Sequence, residues 1–265
     1  MDDQYQHPAF PQPDDRNVHV WRYLDIEKFD WLVANGRLFM ATADRLGDDS
    51  LEGTRPGGDL EWWRIEAANA TSEEQRRIIE HNRDLLSRFA TAFRSNYYVS
   101  CWHMNQSESE EMWRSRTKSP NAVAIQTTYR ELRALLPSYV EIGMVRYIDY
   151  ATERLPTLNM FEYVTHKNIN NGFEREIRAV TLPPVTDELG GSHFRDHHFE
   201  LEALEGFLVY APVVDLKRLI HAVVMHPDAC PEFKSRTAEI CARAGLPLPV
   251  SSIFRSVYKA STSVP

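Results

Sequence analysis

Phe173-Glu174-Arg175-Glu176-Ile177-Arg178-Ala179-Val180-Thr181-Leu182 opens on alternating charges and runs directly into an apolar, partly β-branched segment. That pattern reads as a strand over 174–182, leaving the interior of a sheet at one end. On a strand, Glu174, Glu176 and Arg178 share one face, while Arg175 and Ile177 take the other. Two carboxylates and a guanidinium then line one side. Such a row is either a solvated sheet face with cross-strand ion pairs or the wall of a cleft.

Working outward, 139–148 and 158–164 read as strands upstream with no helix between them, and 207–214 and 219–224 as strands downstream. Earlier in the chain, strand-like segments at 18–23, 37–41, 96–103 and 122–125 are separated by helical ones. Asp25 caps a helix that carries Ile26, Phe29, Leu32 and Val33 on one face and ends at Gly36. Thr71 with Glu74, and Thr128 with Glu131, have capping-box spacing, and the second helix stops at Pro137. After Thr71, the positions of Ile78, Leu85, Leu86, Phe89 and Phe93 form one apolar stripe. A last helix runs from about Pro231 to Ala244 before Gly245, and 253–258 returns to the sheet. Because strands and helices do not alternate strictly, the expected fold is α+β, with a mixed or largely antiparallel central sheet and flanking helices. Pro8, Pro11 and Pro13 with Asp14-Asp15 make residues 1–17 a flexible tail, and 18–260 a single domain.

The 265 residues are 43% hydrophobic and 26% charged, with 6 Trp, 11 Tyr and 12 Phe, enough for a sizeable core. A net charge of -8 with scattered Lys and Arg disfavours a broad nucleic-acid face but leaves room for a local basic groove. Three cysteines without paired close spacing fit a reducing compartment better than a disulfide framework. With no signal-peptide pattern and no apolar run of membrane-spanning length, the expected location is the cytoplasm.

Further candidates are short. In Trp21-Arg22-Tyr23, Arg22 suits a phosphate or carboxylate and the aromatics a flat ligand; the alternative is a strand with one buried aromatic and a paired Arg. In Ser100-Cys101-Trp102-His103, followed by Met112-Trp113, His103 can move a proton or bind a ligand, and Trp102 and Trp113 can form a stacking wall. Cys101 reads as a small buried hydrophobe rather than a nucleophile. His193 and His197 have metal-ligand spacing but follow Gly190-Gly191, so a loop is expected and no metal site. P-loop, Gly-x-Gly-x-x-Gly, Gly-x-Ser-x-Gly and Cys-x-x-Cys motifs are absent.

Taken in order, Trp21-Arg22-Tyr23, Arg37-Leu38-Phe39-Met40, Asp48-Asp49-Ser50-Leu51-Glu52-Gly53, Cys101-Trp102-His103 before Met112-Trp113, and Lys167 leading to Phe173–Arg178 resemble the bacterial family catalogued as domain of unknown function 2971. They span roughly residues 18–180. The chain departs from that pattern at Ser50, where a Pro is common, and in lacking the Tyr often found after Met-Trp.

More distantly, an Arg on an early strand and Glu-x-Glu entering a later one resemble ADP-ribosyltransferases of the Arg-Ser-Glu type. That likeness implies NAD as co-substrate, in bacterial stress or phage defence, with nucleic acid or protein as acceptor. Arg22 would hold a phosphate or the nicotinamide ribose, and Ser100 would support the nicotinamide pocket. Glu176 would stabilise an oxocarbenium-like transition state, and Glu174 would activate the acceptor. Tyr23, His103, Trp113 and Arg178 complete the expected nucleotide site. Tyr97-Tyr98-Val99-Ser100 matches the family's Ser-Thr-Ser only in part. Two other readings remain: a non-catalytic binding or regulatory module, and a metal-dependent nuclease using Asp48, Asp49, Glu52, Glu174 and Glu176 as oxygen ligands.

Overall fold

The computed structural model describes residues 7–46, 52–157, 159–182 and 201–257. In chain order the first strands are β1 (His19–Asp25), β2 (Ala41–Thr42), β3 (Tyr98–Met104), β4 (Ala122–Thr128), β5 (Glu141–Met144) and β6 (Arg146–Ile148). They are followed by β7 (His166–Asn168), β8 (Glu176–Thr181), β9 (Leu201–Leu204), β10 (Phe207–Tyr210), β11 (Ala222–Met225) and β12 (Val250–Ser251). The helices are α1 (Ile26–Asn35), α2 (Gly57–Ala68), α3 (Glu73–Phe93), α4 (Glu110–Arg116), α5 (Tyr129–Leu135), α6 (Glu162–Thr165), α7 (Leu216–Leu219) and α8 (Pro231–Ala244). No helix among the described residues is long and apolar enough to cross a membrane.

The central sheet runs β12-β11-β4-β1-β3-β8-β5, with β2 also paired to β3. Every pairing in it is antiparallel except β11 with β12. This is the expected α+β fold with a mixed, largely antiparallel sheet. Alternation on the buried strands feeds two cores. Val20, Leu24, Trp102, Ile177 and Ala179 enter the large core beneath α1, α5 and α8. On the opposite face, Trp21 and Tyr23 pack with Trp113, and Val99 with Val180.

Several local expectations change. The 1–17 segment is not a free tail where it is described: Ala9 and Phe10 are buried. Met144 donates its N–H to the Pro11 carbonyl, and the Gln12 amide donates to the carbonyls of Phe10 and Ile142. The prolines keep this segment extended, and it covers the β5 edge instead of dissolving into solvent. Within 158–164 no strand is described; Glu162 donates back to the Asn159 carbonyl and α6 begins there. The 139–148 segment is split at Val145, whose N–H turns to the Glu176 carbonyl. Of 37–41, isolated bridges at Arg37 and Met40 lead only into the short β2. The 253–257 segment is not a strand.

Asp25 and Gly36 flank α1 as expected, but the Asp25 carboxylate accepts from the Lys118 N–H rather than capping the helix. Ser72, not Thr71, caps α3, and the Gln75 side chain reaches back to Thr71. The apolar stripe of α3 is not a core face, since Ile78 and Phe89 are exposed.

Candidate functional site

Strands β1 and β3 pair only at Val20 with Met104 and Trp21 with His103. Beyond that point β1 stays with β4, and β3 stays with β8. The sheet therefore splits, and the split opens a cavity of about 400 Å³. Arg22 and Tyr23 line it from β1, Cys101, Trp102 and His103 from β3, and Glu176 from β8. Among the described residues, five cations (Arg22, Lys28, Arg45, Arg116 and Lys118) and one carboxylate, Glu176, line it. In a chain of net charge -8 this is a locally basic wall, within which Arg116 and Lys28 are paired with Glu174 and Glu205.

Arg22 is the most telling of these groups. It is buried, its Nη2 donates to the Phe39 carbonyl at 3.0 Å, and its guanidinium lies 4.0 Å from the Phe39 ring centre and 5.8 Å from that of Trp102. Nη1 has no hydrogen-bond partner, and no carboxylate among the described residues pairs with the group. Burial pulls its pKa down to about 10, so it stays charged at neutral pH. An isolated buried cation costs several kcal/mol. A bound anion would remove that cost.

Glu176 is placed differently. It pairs with His103 across β3 and β8, on the face that also carries Arg178. Arg178 Nε donates to Glu176 at 2.9 Å, and its other nitrogens reach the Val164 carbonyl and Glu52. Lys167 bonds Glu174 and lies 3.7 Å from both Glu52 and Glu176. Arg116, at the end of α4, reaches Glu174 at 2.5 Å and Glu176 at 3.7 Å. Three carboxylates and three cations thus neutralise one another in the interior. Burial alone would raise the Glu176 pKa, but Arg178, Lys167 and Arg116 hold it down to about 2. The segment is therefore no solvated sheet face.

Glu174 does not share the strand with Glu176. It ends the 3-10 turn Ile169–Glu174, and Arg175 then adopts a left-handed conformation (φ 40°) before β8 starts. The carboxylate still meets Glu176, through Lys167 and Arg116 rather than by alternation.

His103 is buried beside Glu176. Its Nδ1 lies 2.6 Å from the Glu174 carbonyl, which only accepts, so Nδ1 carries the proton. Nε2 has no partner among the described residues. Burial lowers the His103 pKa, leaving the ring neutral at pH 7.

Of the sequence-predicted residues, Arg22, Tyr23, His103 and Glu176 meet at the cavity. Glu174 and Arg178 stand behind Glu176 and do not line it. Ser100 and Trp113 lie elsewhere. Ser100 is fully buried on the large-core side, where its hydroxyl accepts from Trp102 Nε1, and it does not line the cavity itself. Trp113 sits on the buried face of α4, donates to Glu108 and meets Tyr23 and His226 edge-on; it is core, not a stacking wall. The Tyr23 hydroxyl oxygen accepts from the Ser109 N–H, and burial pushes its pKa up.

Arg116, Lys118, Lys28 and Arg45 were not identified from sequence. The basic end of α4 after an acidic first turn was the available signal for Arg116. Lys28 and Arg45 lean on the β9–β10 hairpin, through Glu205 and the Phe207 ring.

Cys101 is half-buried on the cavity wall, and burial and the nearby Glu176 charge push its pKa up, so it is no ready thiolate. For the nuclease reading, Glu52, Glu174 and Glu176 do converge, but Lys167 and Arg178 already occupy the space between them. No group of three or more His, Cys, Asp or Glu side chains is arranged to hold a metal among the described residues. Asp48, Asp49, His193 and His197 lie outside the described residues. Compared with models of known protein families and with curated proteins, the chain matches none.

Proposed function

We propose that the split between β1 and β3 binds NAD or a closely related nucleotide, and that the chain acts as an ADP-ribosyltransferase or NAD glycohydrolase. The observation that carries this reading is Arg22: a buried guanidinium with an unpartnered nitrogen, lining the same cavity as Glu176. Arg22 would hold a phosphate, helped by Arg116 and Lys118 at the border, with the Phe39 and Trp102 rings beside it. Breaking the nicotinamide–ribose bond develops positive charge on the sugar, and Glu176 is a fixed, ionised carboxylate able to stabilise it. The acceptor would be nucleic acid, protein or water.

One observation favours a second reading, a nucleotide-binding module without chemistry. The Glu176 charge is already balanced by Arg178, Lys167 and Arg116, which weakens its field at the cavity.

The test is nicotinamide release from NAD by the purified chain, alongside ADP-ribose binding by calorimetry. The enzyme reading expects release that falls at least about 100-fold in Glu176→Gln, in a variant that still binds ADP-ribose. Binding without release supports the module. Neither binding nor release rejects both.

A further inference from the structure

We infer that His103, not Glu174, is the proton acceptor of this cavity, taking the proton from the water or hydroxyl that attacks the substrate. The inference rests on the NAD reading above and gives it the base that the reading otherwise lacks.

Glu174 is the carboxylate that its resemblance casts in this role, yet it is tied to Lys167 and Arg116 and does not line the cavity. His103 does line it. Its exposure is 2%, so its ring cannot turn freely to solvent. The Glu174 carbonyl fixes the proton on Nδ1, which leaves the Nε2 lone pair as the reactive site. That atom is buried and has no partner among the described residues. A buried acceptor without a donor costs about 1–3 kcal/mol, and a bound hydroxyl would satisfy it.

The surroundings suit a base. Glu176 sits beside His103 on β8 and Trp21 on β1, and the Tyr23 ring centre is 6.4 Å away. Burial, Arg175 and Arg116 oppose a charged His103, whereas the Glu174 carbonyl and Glu111 favour it. The ring is thus neutral and able to accept a proton at neutral pH, while the Glu174 carbonyl on Nδ1 and the Glu111 charge favour the imidazolium once formed.

The step balances as follows. The ribose C1′–N bond breaks with its electron pair leaving on neutral nicotinamide. An oxygen lone pair of water or the acceptor hydroxyl forms the new C1′–O bond. The proton released from that oxygen goes to His103 Nε2 and then to solvent.

Two measurements test this. In the wild-type protein, the Nε2 nitrogen resonance should have the unprotonated value at pH 7.5 and should move on addition of ADP-ribose. A protonated Nε2 with bare Nδ1 overturns the assignment whatever the activity. In His103→Asn, whose amide can still donate to the Glu174 carbonyl, ADP-ribose affinity should hold within about threefold. Its nicotinamide release should fall by about 100-fold or more, with loss of the limb of the pH–rate profile that rises with pH. If the wild type turns over NAD and His103→Asn keeps its rate, the inference fails and the NAD reading stands. If the wild type binds and releases nothing, the NAD reading fails and takes this inference with it.

Discussion

Arg22 and Glu176 line one cavity although their strands direct them to opposite faces of the sheet. Alternation sends Arg22 with Val20 and Leu24 toward the large core, and Glu176 with Arg178 and Val180 toward the other face. They meet because β1 and β3 separate after Trp21 and His103. A continuous sheet would have kept them apart.

That geometry predicts opposite effects on stability and binding at Arg22. Arg22→Met fills similar volume and removes a buried charge that has no anion, so the free protein should keep its stability or gain about 1 kcal/mol. Affinity for ADP-ribose should drop at least about tenfold, near 1.4 kcal/mol. Urea unfolding and calorimetry on the same variant check both. A loss of stability above about 2 kcal/mol would make Arg22 a packing residue instead.

Acid should weaken the fold in two stages. His103 and His166 have their pKa values lowered by burial, so the unfolded chain binds their protons more readily than the folded one. Stability then declines as pH falls below the unfolded value of about 6.5. Glu176 adds a second decline. Its folded pKa of about 2 lies below the ordinary 4.5, so its contribution is complete above 4.5 and disappears as pH falls toward 2. The shift is worth on the order of 3 kcal/mol, shared across the ion cluster. Chemical denaturation at a series of pH values should resolve both slopes. A curve flat from pH 7 to 5 would contradict the histidine stage.

Much of the architecture was legible because periodicity and caps report local physics. Thr128 caps α5 through the Glu131 N–H, and Gly245 takes the left-handed position after α8, both where spacing placed them. The charged segment was legible as a charge cluster but not as a geometry. Nothing in Glu174-Arg175-Glu176 announces that Arg175 breaks the strand, and strand propensity says nothing of Lys167, Arg116 and Glu52 arriving from three other segments. The same limit hid the cavity's basic border: Lys28, Arg45 and Lys118 are far apart in sequence and converge only because the sheet splits. Ser100 was misplaced for a simpler reason. It shares a face of β3 with Trp102, but its hydroxyl is taken by the Trp102 indole N–H and the indole, not Ser100, lines the cavity.

The cysteines should differ sharply toward a thiol reagent. Cys230 is exposed, Cys241 is buried with its pKa pushed up to about 11, and Cys101 is held protonated by burial and Glu176. At pH 8 iodoacetamide should modify Cys230 in the native protein and leave the other two untouched until denaturant is added, as read by peptide mass spectrometry. Fast native labelling of Cys101 would mean that the cavity wall is open and the thiol ionised, restoring the nucleophile that its burial argues against.

The amino-terminal segment is polar and proline-rich yet packs onto the sheet. Phe10 is fully buried, packs edge-on to Phe161 with ring centres 5.3 Å apart, and lies against Gly143, where an added Cβ would stand 2.6 Å from the Phe10 backbone. With Met144 donating to Pro11, the segment acts as a cover over the β5 edge, two strands from the cavity. Phe10→Ala should therefore cost about 3–5 kcal/mol, the range for a buried Phe, and Gly143→Ala should also destabilise, by forcing the segment outward. Both variants uncover the β5 backbone, so they should aggregate more readily than the wild type, as light scattering on gentle heating would register. If Phe10→Ala unfolds at the wild-type urea midpoint, residues 7–17 contribute nothing to the fold in solution and the edge of β5 must be protected in another way.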